Sequence, residues 1–396
     1  MSSETRVLVI NCGSSSMKFS VLPTGKDEPI LSGVAEKLGL SDAFISVKDS
    51  QDKKAVFELE EGTHAEALKK LFATMSKLQL MDSLCAIGHR VAHGGSEFSD
   101  SVLVTEEIIE KIELLSDLAP LHNPANLVGI KTAMALLPNI PNIAVFDTAF
   151  HQTMSEEAYT YAIPLELRDE HKVRRYGFHG TSHRFIALET VKRLALNKYN
   201  HGIIVAHLGN GSSVCAVKDG ISVDTSMGMT PLEGLVMGTR CGDLDLGAAV
   251  YIANSTKQSL DSVYNLSNSQ SGLLGVSGLS SDCRELELAR SQGNKRAALA
   301  IDVLVHRLAR HIGGHLASLD RIDALVFTGG IGENSVLIRE LVIQKLAVFG
   351  FKIDKEINAA TKGGEWGVVS TANSPAIVVL PTNEEKVIAQ DAAALA

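Results

Sequence analysis

Val7–Ile10 is an unbroken apolar run that ends in Asn11, Cys12, Gly13, Ser14, Ser15 and Ser16, and beyond it Met17, Phe19 and Val21 alternate with Lys18 and Ser20. This pattern predicts a buried strand, a tight turn and a second strand of period two. It returns later in the chain: Ile203–Ala206 runs into His207, Leu208, Gly209, Asn210, Gly211, Ser212 and Ser213, followed by apolar Val214–Val217. A turn rich in Gly and Ser points backbone N–H groups and hydroxyls at one spot, which suits a phosphate oxygen. Gly also allows positive φ and close approach of a ligand to the backbone. Each turn by itself reads equally well as an ordinary hairpin. As a pair they predict a duplicated fold with a nucleotide between its halves.

The rest of the pattern alternates strands with helices. Strands and turns fill 6–60, and a helix is predicted over 64–80. A short strand at Leu84–Ile87 leads into the loop of His89, Arg90 and His93. An amphipathic helix is predicted over 105–118, and another starts with Asn123 as N-cap and Pro124 at its first position. Ile143–Phe146 is a strand ending at Asp147. The second part has a helix over 182–196, strands over 202–208, 214–218 and 221–225, and a helical block over 243–318. The longest helix of that block, about 294–318, carries Gly313 and Gly314, where another backbone would have room to approach. A strand at Ala324–Phe327 runs through Thr328–Asn334 into a helix near Ser335. The strand Ala376–Leu380 and a helix over 384–396 close the chain. Such alternation predicts an α/β protein, divided near 148–151.

With 396 residues, 45% of them hydrophobic, the chain is long enough for two cores. The net charge of −9 comes from signs mixed along the chain, which argues against a nucleic acid as partner. Five cysteines without a Cys-x-x-Cys spacing fit free thiols in a reducing cytoplasm. The first strand begins near Arg6, which leaves no room for a signal peptide. No apolar run approaches a membrane span, so no membrane is expected.

Neither a P-loop nor the Gly-x-Gly-x-x-Gly dinucleotide fingerprint occurs. The candidate phosphate-binding devices are therefore the two hairpin turns and Thr328–Asn334, which would seat a phosphate or an adenosine against a helix N-terminus. Arg90, Arg240 and Arg284 are expected in loops, and Arg240 has glycine neighbours that let a ligand approach; a guanidinium is a natural fork for carboxylate and phosphate oxygens. His171, His201, His311 and His315 lack such surroundings and read as surface or packing residues.

The segments at 11–18, 177–183, 224–234 and 328–334 together resemble the acetate/propionate kinase family, of the sugar kinase/Hsp70/actin superfamily, and the likeness covers essentially the whole chain. It implies a duplicated ribonuclease-H-like fold of two domains with a nucleotide cleft between them. Those domains would be 1–148, with helix 384–396 packing back on it, and 149–383, which would bind nucleotide and dimerise. It implies ATP or ADP as co-substrate, Mg²⁺ (or Mn²⁺), acetate or another short-chain carboxylate, and a cytoplasmic homodimer that closes around nucleotide.

Carried over by motif, Asn11 and Glu384 take the metal. Ser14, Ser16 and Lys18 form the first phosphate loop. Arg90 and Arg240 hold the carboxylate and the phosphoryl group in flight, His179 stabilises the transition state and Asp147 is the active-site aspartate. The nucleotide falls to His207, Leu208, Gly209, Asn210 and Gly211, to Asp282, Cys283 and Arg284, and to Gly330, Ile331, Gly332, Glu333 and Asn334. Ala92, Leu121, Phe178 and Pro231 line the acyl pocket. The resemblance implies reversible Mg²⁺-dependent phosphoryl transfer from ATP to acetate, giving acetyl phosphate and ADP; Ala92 stands where acetate-preferring members often have valine, so propionate is an expected secondary substrate. A carboxylate is already ionised at neutral pH, its pKa lying at about 4, so alignment and charge neutralisation are needed more than a strong base. A chaperone or filament role, the other activity of the superfamily, would need a substrate domain or polymer contacts beyond the motifs seen.

Overall fold

The computed structural model describes residues 4–120 and 122–396. The chain divides into two compact units, one running through Phe150 and including Asn383–Ala396, the other His151–Thr382.

The first unit is built on strands β1 (Arg6–Cys12), β2 (Ser16–Pro23), β3 (Leu31–Glu36), β4 (Phe44–Asp49), β5 (Lys54–Glu58), β6 (Leu84–Val91), β7 (Val102–Leu103) and β8 (Asn142–Phe146). Their order is β5-β4-β3-β2-β1-β6-β8-β7. β1 to β5 form an antiparallel meander. β1, β6 and β8 run parallel, and β7 returns antiparallel. Helices α1 (His64–Lys77), α2 (Glu106–Leu114) and α3 (Asn123–Leu136) complete this stretch.

The second unit carries α4 (Glu156–Tyr159), α5 (Leu165–His171), α6 (Gly180–Arg193), β9 (Gly202–Leu208), β10 (Ser212–Lys218) and β11 (Ile221–Thr225). After these come α7 (Leu246–Thr256), α8 (Leu260–Ser269), α9 (Gly272–Ser277), α10 (Cys283–Ser291) and α11 (Lys295–Leu316). It ends with β12 (Ala324–Thr328), α12 (Gly329–Asn334), α13 (Val336–Lys345), α14 (Lys355–Ala360), β13 (Gly367–Val368) and β14 (Ala376–Val379). The last helix, α15 (Glu384–Leu395), belongs to the first unit. The second sheet runs β11-β10-β9-β12-β14-β13. Strand directions in it repeat those of β3-β2-β1-β6-β8-β7, so the α/β fold is duplicated at the level of topology.

The period of two along β1 explains how the first unit places its polar residues. Leu8, Ile10 and Cys12 join Leu68, Leu71 and Met75 of α1 in one core. Val7 and Val9 face the other way, with Ala86, Ile143, Val145 and the α15 residues Ile388, Ala389 and Ala392. Both faces are covered, which is why the strand reads as a continuous apolar run. Following the second face to the strand ends, the next residue after Val9 is Asn11, after Gly88 it is Arg90, and after Val145 it is Asp147. In β9, Ile204, Ala206 and Leu208 pack against Leu304, Val305 and Leu308 of α11, which leaves His207 on the opposite face.

Four local expectations change. Arg90 and Arg284 are not in loops: Arg90 continues the β6 ladder opposite Val145 of β8, and the Asp282 cap already starts α10 before Arg284. Asn123 is not the cap of α3; His122 holds that position. The Asn123 side chain instead accepts from the His93 N–H at 3.1 Å and donates to the His93 carbonyl at 3.0 Å, a tertiary use that outweighs capping. Thr328–Asn334 does not lead into a single helix: Gly329–Asn334 is already helical, and Ser335 caps a separate α13 through the Ile338 N–H. Among the described residues no backbone approaches the glycine pair of α11, so the room there stays open. A Cβ on Gly313 would meet the Phe349 ring at 3.3 Å, and one on Gly314 would meet nothing within 4 Å. The short α4, α5 and α14 lie outside the predicted helices, since one or two turns show too little periodicity to stand out.

Among the described residues no helix is long and apolar enough to cross a membrane.

A Cβ on Gly88 would stand 2.6 Å from Ile388 Cγ2, 3.2 Å from the Ile388 carbonyl and 3.3 Å from Ala392 Cβ. Gly88→Ala should therefore push α15 off β6 and lower stability by about 1–3 kcal/mol. Urea denaturation of the variant beside the parent checks this, and an unchanged midpoint would show that α15 does not bear on β6.

Candidate active site

In the first unit the parallel strands β1, β6 and β8 bring Asn11, Arg90 and Asp147 to one place. Arg90 Nε donates to Asp147 Oδ1 at 3.0 Å, its second terminal nitrogen donates to Asp147 Oδ2, and Nη1 donates to Asn11 Oδ1 at 3.3 Å. Asp147 is buried, and its own N–H continues the ladder to the Val91 carbonyl at 3.0 Å. Burial pushes its carboxyl above the ordinary carboxylate value; Arg90 opposes this and the negative Glu384 adds to it. The Arg90 guanidinium is held more firmly charged, Asp147 and Glu384 outweighing its own burial. Glu384 is the first residue of α15, and because α15 covers this face of the sheet its carboxylate acts on both partners.

Lys18 stands opposite Asn11 in the β1–β2 ladder and is exposed. Ser14 is exposed and Ser16 half-buried in the turn that the Gly13 N–H closes onto the Ser16 carbonyl at 2.7 Å. Ala92 is buried just past β6, and its N–H donates to Asn126 Oδ1 at 3.0 Å. Leu121 lies outside the described residues.

Asn11 and Glu384 offer an amide oxygen and a carboxylate, hard donors that fit Mg²⁺, an ion that keeps several waters and takes few protein ligands. Among the described residues no group of three or more His, Cys, Asp or Glu side chains gathers into a metal cage.

Sequence reasoning did not single out the residues that brace this cluster. Asn126 Nδ2 donates to the Cys12 carbonyl at 2.6 Å while its oxygen holds Ala92, which ties the end of β1 to the end of β6. A ring nitrogen of His64 lies 2.8 Å from the Gly13 carbonyl and steadies the turn. The spacing of Asn123 and Asn126, one face of a helix just after a proline-marked start, was the available signal.

In the second unit, His179 is the N-cap of α6 in a left-handed conformation, φ 57°. Its Nδ1 lies 2.9 Å from Ser213 Oγ, and its ring centroid 4.4 Å from that of His207. His207 Nδ1 lies 2.8 Å from Ser182 Oγ. Gly211 closes the hairpin beside them. A Cβ there would stand 3.3 Å from His179 Nε2 and 3.5 Å from Arg240 Nη1, so the missing side chain leaves a small space faced by two nitrogen groups.

Arg240 Nη1 also donates to the Pro231 carbonyl at 3.2 Å. Burial lowers the pKa of its guanidinium, which keeps its charge all the same. Asn210 and Gly238 lace the two loops together: the Gly238 N–H donates to the Asn210 carbonyl at 3.1 Å, and a Cβ on Gly238 would overlap Asn210 Oδ1. Phe178 packs with Met227 and Met237.

The other candidate nucleotide residues divide by exposure. Gly209 lies in the hairpin, its N–H donating to the Gly211 carbonyl at 3.0 Å. Asp282 caps α10, and Arg284 forks onto it while standing almost fully exposed. Cys283 and Leu208 sit in the core, and burial pushes the Cys283 thiol up to about 12; their side chains face away from any ligand and leave only backbone to offer. In α12, Gly330 is open, Gly332 is buried and Ile331 rests on the core. Glu333 Oε1 accepts from the N–H groups of Gly329 at 2.9 Å and Thr382 at 3.3 Å. Asn334 donates to the Gly330 carbonyl and accepts from the Gly363 N–H, each at 3.0 Å. These two side chains brace the loop.

The duplicated α/β topology, the glycine-serine hairpins, Arg90 at a strand end and Arg240 beside Gly211 are the features of a nucleotide-dependent phosphotransferase. Comparison with known proteins narrows this. Residues 6–390 match the model of the acetokinase family. The chain is 54% identical over 387 residues to the propionate kinase of Citrobacter koseri, covering 98% of this chain and 95% of that one. Among solved structures, a propionate kinase from Francisella tularensis superposes with a TM-score of 0.94 at 42% identity, covering 99% of this chain and 100% of that one. The acetate kinase of Porphyromonas gingivalis gives the same TM-score and identity over 99% of both chains. The chain belongs to the acetokinase family, kinases of short-chain carboxylates that use ATP or ADP and Mg²⁺.

Gly211 has no positive φ to preserve, so Gly211→Ala is a purely steric test of the space facing His179 and Arg240. Turnover should fall about 10- to 100-fold with the fold intact, as expected when reacting groups are misplaced by a fraction of an ångström or more. Steady-state kinetics beside a thermal melt check it; parent-like turnover would mean the space is not used.

Proposed function

We propose that this chain transfers the γ-phosphoryl group of ATP reversibly to propionate and acetate, giving the acyl phosphate and ADP. Family membership supports the reaction class, and the strand-end cluster supports the roles. Arg90 binds the substrate carboxylate. Asp147 engages Arg90 with both of its oxygens, so its role is to orient the guanidinium rather than to abstract a proton. That fits a nucleophile already ionised at neutral pH.

Asn11 and Glu384 would hold Mg²⁺, which when bound neutralises phosphate charge. Ser14, Ser16 and Lys18 take phosphate oxygens. His179 and Arg240 stabilise the charge of the phosphoryl group in transfer. His207–Gly211, Asp282–Arg284 and Gly330–Asn334 hold the nucleotide, Leu208 and Cys283 through their backbone alone. The domain limits 1–148 and 149–383 are part of this reading.

The observation that carries the choice of acid is Ala92. A small, buried residue beside the strand end that bears Arg90 leaves room for one more methylene than valine would. The relatives named propionate kinase, 52–54% identical, point the same way. Ala92, Leu121, Phe178 and Pro231 are the proposed acyl pocket. A homodimer belongs to this reading as well, supported by the exposed apolar Leu246, Tyr251 and Leu260 on α7 and α8. So does the cytoplasm, supported by five unpaired cysteines.

Two measurements test the proposal. Arg90→Ala and Arg240→Ala should each lower turnover by roughly 10²–10³ with native secondary structure retained, and Arg90→Ala should also raise KM for the acid. Acyl hydroxamate formation from ATP and each acid reads this; near-normal turnover removes that arginine from the mechanism. For the acid, kcat/KM should be comparable for propionate and acetate in the parent. Ala92→Val should shift the ratio toward acetate by at least about 10-fold, since one methylene is worth about 10–200-fold in such a pocket. An unchanged ratio means Ala92 does not line it.

A further inference from the structure

Ser213 lies on β10, directly opposite His207 of β9. Its Oγ is 2.9 Å from His179 Nδ1 and 2.7 Å from His183 Nε2. His179 and His183 are one turn apart at the start of α6, joined by the His183 N–H to His179 carbonyl bond of 2.9 Å. All three groups lie within the second unit.

A hydroxyl has one hydrogen and two acceptor sites. Ser213 is fully buried and, among the described residues, meets only these two rings, so accepting from both would strand its hydrogen, and it donates to one ring while accepting from the other. His183 decides the direction. It is fully buried, and burial, reinforced by the neighbouring His151, His207 and His315, drives its pKa well below the ordinary histidine value. It is therefore a neutral ring with a single N–H. Among the described residues its Nδ1 has no hydrogen-bond partner. A hydrogen on Nδ1 would be a buried donor without an acceptor, whereas a bare Nδ1 leaves only an acceptor unused, the better tolerated of the two. The hydrogen accordingly sits on Nε2 and is donated to Ser213 Oγ. Ser213 then donates to His179 Nδ1.

We infer that Ser213 and His183 form a relay that fixes neutral His179 as the tautomer with its hydrogen on Nε2, the nitrogen beside Gly211 and Arg240. His179 thus presents a donor toward the transferring phosphoryl group without needing to be protonated. The His207 ring, tilted 31° at 4.4 Å, restrains the plane of the His179 ring. Ser213 and His183, both fully buried, act through His179 as positioning residues. Their catalytic consequence rests on the reaction proposed above, but the tautomer does not.

Long-range ¹⁵N–¹H NMR of the full-length chain at about pH 8.5, above ordinary imidazole titration, reads the tautomer directly, with His179 assigned by the signals lost in His179→Asn. The parent should show Nε2 protonated and Nδ1 bare; a hydrogen on Nδ1 overturns the relay. In Ser213→Ala the His179 tautomers should mix and kcat should fall about 10- to 100-fold, while KM for ATP and acid stays within about threefold. A tautomer and kcat unchanged in Ser213→Ala also overturn it.

His183→Gln keeps a side-chain N–H for Ser213 and should retain most of kcat. His183→Leu should behave like Ser213→Ala, and equal activity of these two His183 variants counts against the relay. Should Ser213→Ala fail to fold, the parent spectrum and the His183 pair still decide. If the parent phosphorylates neither acid, the proposed function fails while the NMR result stands.

Discussion

Arg90 is held by Asp147 on one side and Asn11 on the other, and this three-residue contact exists only because β1, β6 and β8 run parallel and end together. Parallel neighbours under a covering helix are apolar along their length. The polar residues that meet here, Asn11, Arg90 and Asp147, stand at the C-terminal ends, which is where ligands of open α/β sheets bind. Asp147 is buried deeply enough that its charge would be costly without Arg90, which itself keeps a quarter of its side chain exposed. The two-pronged geometry offsets the desolvation, and Arg90 stays fixed in orientation. α15 makes the arrangement possible from far along the chain: Gly88 admits it against the sheet, and it delivers Glu384 to the same cluster.

The second unit solves a different problem with the same topology. Its hairpin between β9 and β10 brings no carboxylate forward. It brings a glycine whose missing side chain leaves a space faced by His179 and Arg240, and behind that space lies a set of histidines buried too deeply to carry charge. Burial lowers the His151 pKa to about 4 and holds that of His183 well below the ordinary histidine value. Neutral rings bonded through hydroxyls are directional parts, suited to setting which nitrogen of an outer histidine carries hydrogen. Arg175 plays a comparable supporting part: its Nη1 donates to the carbonyls of Thr225, Ser226 and Met227 and so gathers the strand that leads to Pro231. The Arg174 guanidinium lies 3.5 Å from the Tyr159 ring. Both arginines find their partners within the second unit.

Hydrophobic pattern and local chemistry determined the α/β class, nearly every strand, the long helix over 295–316, and the fact that Asn11, Arg90, Asp147 and His207 each close an apolar run. Those features depend on residues near one another in the chain, where period two, period 3.6 and turn residues are direct consequences of backbone geometry. Family motifs added the residue set of the candidate site.

Tertiary structure alone decided which of these polar ends meet. Asn11, Arg90 and Asp147 are separated by tens of residues, and their contact depends on strand order, which no local period encodes. Packing likewise turned Asn123 from a helix cap into a brace for His93, and sent the Cys283 and Leu208 side chains into the core. It also joined His183 to His179 through Ser213. The spacing of the two histidines on α6 is visible in the chain, but the serine that links them arrives on another strand. Its direction as a donor follows from a single buried nitrogen with no partner among the described residues, because satisfying a polar atom is decided by everything packed around it and not by its neighbours in sequence.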